Sequence, residues 1–137
     1  MIIDKSLQVA TAQAVTVSAA TTDVIDFGTT NPNTGMSDLL KMVFTVSAAV
    51  TAAGAGTVTF SIQDSADNSS FADVAVTAAI GKASLPAGAQ VIIPMPVTHR
   101  RYVRGYFTIG TGPLTGGTFS AQVVTGIQLN TPAPDAL

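Results

Sequence analysis

The strongest constraint on this chain is its rhythm of turn-forming residues. "DFGTTNPNTG" (26–35), "AAGAGT" (52–57), "DSADNSS" (64–70), "GKASLPAG" (81–88), "PMPV" (94–97) and "GTGPLTGG" (110–117) punctuate it. All seven prolines fall in or beside these breaks or near the C-terminus, and a proline inside a strand removes a ladder donor. The proline-free segments between them are of strand length. Loops spaced roughly every 8 to 14 residues are what a β-sandwich or jelly roll produces.

Several segments alternate as half-buried strands do. In "TVTFSIQ", Val58, Phe60 and Ile62 share one face while Thr57, Thr59, Ser61 and Gln63 share the other. "TFSAQVV" repeats the pattern with Phe119, Ala121 and Val123 inward. "DVAVTAAI" places Val74, Val76, Ala78 and Ile80 together, and "AQVII" places Ala89, Val91 and Ile93 together. "SLQVATAQAVTV" alternates at both ends and breaks at Thr11 and Gln13, so it is either two short strands or one with a bulge. In "SDLLKMVFTVSAAV" the residues Leu39, Met42, Val43, Val46 and Val50 also suit a helical stripe after a Ser37 cap. The β-branched residues and Phe44 favour a strand there. With "DVIDF" the expectation is an all-β jelly roll or β-sandwich of about eight antiparallel strands.

Composition agrees with this. There are 21 Ala, 19 Thr and 15 Val against seven Leu and no Glu, so helix formers other than Ala are scarce and β-branched residues abundant. A length of 137 residues fits one domain over 1–137 with an exposed C-terminal tail from about 130; folding at this size buries roughly two-thirds of the chain's surface. Only 10% of residues are charged, against about 25% in ordinary soluble domains, and the mean hydropathy is +0.45. A surface so poor in charge is expected to be covered by copies of the chain or by another protein.

The same numbers bear on function class. A net charge of −2 gives no general attraction for nucleic acid or an anionic membrane. Without cysteine there is neither a disulfide nor a thiolate zinc site. Asp4, Gln8, Thr11 and Gln13 interrupt what would have to be the apolar segment of a signal peptide, so the first twenty residues are read as part of the fold. No stretch reaches the ~18 apolar residues of a membrane helix.

The chemistry-bearing residues gather in "HRRYVRGYF" (99–107), which holds the only histidine, all three arginines and both tyrosines. Strand periodicity puts Arg101, Val103, Gly105, Phe107 and Ile109 on one side and Arg100, Tyr102, Arg104, Tyr106 and Thr108 on the other. Val103, Phe107 and Ile109 are expected to enter the core, with Gly105 marking a bulge or a close backbone approach. Arg100, Tyr102, Arg104 and Tyr106 are the candidate partner-interface residues, Arg and Tyr being the types most often found as interface anchors. The competing reading is a solvated strand face with Arg stacked on Tyr.

No catalytic, cofactor or metal residues are expected. His99 has no triad around it and there is no GxSxG elbow. "GTGPLTGG" lacks the Lys and helix of a phosphate loop and reads as a hairpin turn. "DSADNSS" offers Asp64, Asp67 and Asn68, but Ala66 stands where a calcium loop wants an oxygen donor, so it reads as a turn.

Taken in order, "SLQVATAQAVT", "TTDVIDFG", "QDSADNSSFADV" and "LPAGAQVIIPMPVTHRRYVRGYFTIGTGPLTGGTFSAQVVTGIQ" resemble the small capsid cement, or decoration, proteins of short-tailed double-stranded DNA bacteriophages. The resemblance implies a jelly-roll subunit, commonly a homotrimer, folded in the bacterial cytoplasm and then placed on the outer surface of the virion. There it would bind the major capsid protein, bridge neighbouring copies and reinforce the shell, with no nucleic-acid or membrane partner. A carbohydrate-binding or receptor-binding jelly-roll module, using Tyr102, Tyr106 and the 64–70 loop, is the alternative; the absence of Trp weighs against it.

Overall fold

The computed structural model describes residues 3–32 and 40–125. Within these, ten strands form two antiparallel sheets: β1 Gln8–Ala14, β2 Ala19–Ala20, β3 Ile25–Asp26, β4 Lys41–Thr51, β5 Thr57–Ser65, β6 Ala72–Val76, β7 Ile80–Gly81, β8 Gln90–Pro94, β9 Tyr102–Gly110 and β10 Gly116–Val124. The first sheet runs β1-β10-β4-β8. The second runs β2-β9-β5-β6, with β3 also on β9 and β7 also on β5.

Treating β2/β3 and β6/β7 as two interrupted strands leaves eight strand positions. The first then pairs with the eighth, the second with the seventh, the third with the sixth and the fourth with the fifth. That nested pairing, distributed over two sheets of four positions, is the jelly roll. The fold is all-β, as the alternation and the spacing of turns predict.

The core forms where the inward positions of both sheets meet. Phe44 from β4, Phe60 from β5, Phe107 from β9 and Phe119 from β10 are all fully buried. Their ring centroids lie 5.0 to 5.8 Å apart in mostly edge-to-face contacts, the arrangement aromatic quadrupoles prefer. Small inward residues fill the space around them, Ala10 and Ala121 among them. The alternation read in "TVTFSIQ", "TFSAQVV" and "AQVII" places these faces as predicted: Val58, Phe60, Ile62, Phe119, Ala121 and Val123 are buried, and Ala89, Val91 and Ile93 pack on the core.

The ambiguous stretch from 37 is a strand from Lys41 onward, with residues 37–39 lying outside the described part. Residues 8–14 form one bulged strand: pairing with β10 slips between Ala10 and Gln13, Ala12 takes a positive φ of 45°, and its N–H donates to Ser120 Oγ at 2.9 Å. The tail expected from about 130 lies outside the described residues.

One face assignment is corrected. Val74, Val76, Ala78 and Ile80 do not share an inward face: Val74, Val76 and Ala78 are exposed, while Ala75 and Ile80 pack on the core. The cause is a slip in register. Ile62 pairs with Ala75 but the next residue, Gln63, pairs with Asp73, so Val74 is the extra residue of a bulge and the strand's parity changes there.

Candidate functional site

β9 is an inner strand that carries Arg104 and both tyrosines, with Arg100 and Arg101 just before it, and it is flanked by β5 on one side and by β2 and β3 on the other. Its pairing with β5 is unbroken from Tyr102 opposite Ser65 to Gly110 opposite Thr57. The glycine in the middle therefore marks a close approach and not a bulge. A Cβ on Gly105 would stand 2.8 Å from Phe44 Cε1 and 2.9 Å from Thr21 Cγ2, too near for either atom to stay in place.

Alternation along β9 sends Val103 and Phe107 into the core and leaves Tyr102, Arg104 and Tyr106 half-buried on the outer face. Arg104 is opposite Gln63, and its Nε donates to Gln63 Oε1 at 2.9 Å. Gln63 Nε2 in turn donates to Asp73 Oδ1 at 2.9 Å, tying β9, β5 and β6 together across the face. The guanidinium sits over Phe71 with its carbon 3.8 Å from the ring centre, and the Tyr106 ring centre is at 5.8 Å. Burial lowers the pKa of Arg104, and it remains a cation at any physiological pH.

Arg100 stands apart from this row. It precedes β9, and its backbone N–H, Nε and Nη2 reach the Asp64 carboxylate at 2.8 to 2.9 Å, while Nη2 also donates to the Asp64 carbonyl at 2.7 Å. That carboxylate is buried and holds the arginine's pKa above its usual value. Arg101 is likewise engaged, bidentate to Asp26 at 2.7 and 3.0 Å and stacked over Tyr102 at 5.1 Å. The hydrogen bonds from Arg101, helped by the Gly28 N–H, lower the Asp26 pKa. Between them Arg100 and Arg101 fasten the loop before β9 to β5 and to β3.

The candidate row thus divides: the structure brings Tyr102, Arg104 and Tyr106 together and assigns Arg100 to an ion pair within the fold. Sequence reasoning missed Phe71, Gln63 and Asp73 as their companions. The outward parity of Gln63 was readable in "TVTFSIQ", whereas the register that sets it opposite Arg104 was not. His99 is buried, with its ring 4.8 Å from Phe27 and Nδ1 2.9 Å from the Arg100 carbonyl. In the 64–70 turn, Asp67 accepts from the Ser69 and Ser70 N–H groups and from the Ser65 hydroxyl, the bonds that lower its pKa to about 2. No group of three metal-ligating side chains occurs among the described residues.

The sheet edges are unsuited to pairing with another chain. β1 and β6 are bulged, β8 ends in Pro94, and the β2/β3 edge consists of two-residue pieces. On the outer side of the first sheet, Val43, Gln122 and Val124 are buried. A shallow groove of about 410 Å³ at one end is lined by Val17, Ser18, Ile109, Gly112 and Pro113, and its one hydroxyl already accepts the Ile109 N–H. The outer face of the second sheet, centred on Arg104, is the best-furnished surface for recognition.

The Bbp16 family model matches residues 9–123. The chain belongs to the Bbp16 family. The matched span runs from Val9 in β1 to Val123 in β10, so the whole jelly roll and the Tyr102–Tyr106 face lie inside the Bbp16 region. No curated protein matches the sequence.

Proposed function

We propose that this Bbp16-family chain is a structural protein of a phage particle. It binds the outer surface of the head as a homo-oligomer and joins neighbouring copies of the major capsid protein. The observation that carries the reading is the outer face of β9, where Tyr102, Arg104 and Tyr106 stand in one row on an inner strand of the second sheet. The resemblance to phage cement proteins and the low surface charge support it.

The physical role is adhesive. A shell under internal pressure fails where subunits part, and a molecule bound across that boundary adds its binding free energy to each separation. Contacts of modest individual strength are sufficient when they repeat over many linked copies. Flat aromatic and guanidinium groups on a sheet suit such contacts, burying large areas while losing little side-chain entropy.

The test is the copy number of the chain in purified particles, measured by mass spectrometry against the major capsid protein. A fixed ratio equivalent to hundreds of copies per head supports the reading. Absence from particles, or a few copies at one vertex, overturns it.

A further inference from the structure

We infer that Arg104 is the docking point for a carboxylate side chain, Asp or Glu, of the capsid partner; this rests on the capsid-binding reading above and specifies the partner's chemistry. Of the three arginines, Arg100 and Arg101 are neutralised within the fold by Asp64 and Asp26. Arg104 forms no ion pair with a described residue. Its Nε is committed to Gln63, yet its two Nη atoms donate to no described residue, so the forked end that matches a carboxylate is left available.

The fork is also held in place. Gln63 holds the guanidinium by its Nε and the Phe71 ring centre lies 3.8 Å from its carbon, so little freedom is lost when a ligand arrives. Asp73 stands on the far side of Gln63, and its Oδ1 accepts from Gln63 Nε2, which keeps a polar spacer between the two charges. A partly buried cation on an inner strand, paired with no carboxylate among the described residues, is complementary to an acidic side chain on the surface it meets. Tyr102 and Tyr106 on either side exclude water from the pair and offer phenol groups to its surroundings.

The experiment measures binding of the full-length chain to shells assembled from the major capsid protein of the same phage and lacking this chain. Wild type, Arg104→Lys, Arg104→Gln and Tyr106→Ala are compared, with thermal unfolding confirming that each is folded. Binding weakened tenfold or more by both arginine variants, with Lys retaining part because it keeps the charge without the fork, supports the inference. Wild-type binding that Tyr106→Ala weakens but Arg104→Lys and Arg104→Gln leave unchanged overturns the carboxylate contact and preserves the capsid reading. If wild type fails to bind the shells, the capsid reading fails and takes the inference with it. If it binds oligosaccharides containing uronic acid instead, the carboxylate belongs to a glycan and the inference is overturned.

Discussion

The ring of Phe44 occupies the space that a side chain at residue 105 would need: a Cβ on Gly105 would lie 2.8 Å from Phe44 Cε1 and 3.0 Å from Cζ. Gly105 is also bonded to Thr21 twice, its carbonyl accepting the Thr21 N–H at 2.9 Å and its own N–H donating to the Thr21 side-chain Oγ1 at 3.1 Å. One residue thus lets the two sheets close on each other and holds β9 to the segment after β2. Gly105→Ala is expected to lower stability by about 1–3 kcal/mol through overpacking. Urea unfolding checks this, and adding Phe44→Leu should recover part of the loss; a wild-type midpoint for Gly105→Ala would show that the approach is not limiting.

Phe107 touches Phe44, Phe60 and Phe119 from the middle of the same strand. Phe107→Ala leaves a cavity at the junction of both sheets and is expected to cost about 3–5 kcal/mol. The measurement is calorimetric unfolding, where a loss under 1 kcal/mol would mean that the ring cluster can collapse around the gap.

Two arginines four residues apart are expected to behave differently. Arg100→Ala leaves the buried Asp64 carboxylate without its guanidinium, so the unfolding midpoint falls. Shell binding per folded molecule stays at the wild-type level. Arg104→Gln gives the opposite pattern, and equal effects of the two on binding would contradict the division of labour.

Thr111 adopts φ = 60° in the turn between β9 and β10, beside Gly112 at φ = 90°. A β-branched residue is disfavoured in the left-handed region, whereas Asn enters it readily. Thr111→Asn is expected to stabilise the protein by about 0.5–1 kcal/mol, read as a rise in the thermal midpoint.

Asp67 titrates in the folded protein at about 2, below its ordinary 3.8, because it accepts hydrogen bonds from Ser70, Ser65 and Ser69. A depressed folded pKa contributes stability that is present above 3.8 and is lost as pH falls through the folded value. Urea midpoints of the wild type should therefore fall between pH 4 and pH 2 by more than those of Asp67→Asn. A parallel decline in both proteins would assign the acid sensitivity elsewhere.

Much of the sandwich was legible because alternation is a local property. Val58, Phe60 and Ile62 announce a buried face without reference to any partner strand, as do Phe119, Ala121 and Val123. The alternation of 73–80 does not give its face because a single bulge residue, Val74, reverses parity, and that slip is set by the pairing with β5. The same limit applied to the site. Periodicity identified Tyr102, Arg104 and Tyr106, but nothing near Arg100 in the sequence signals Asp64, thirty-six residues earlier. Phe71 and Gln63 became companions of Arg104 only through the registry of three strands.

The spoiled edges of both sheets bear on how a chain with one charged residue in ten is guarded against stacking edge to edge. Electrostatic repulsion is the usual safeguard against runaway self-assembly, and this protein has little of it. Bulges, a proline and broken strands supply a steric safeguard in its place, one that high ionic strength cannot screen away. Edge-to-edge stacking is thereby hindered, while the broad faces of the two sheets are under no such restriction.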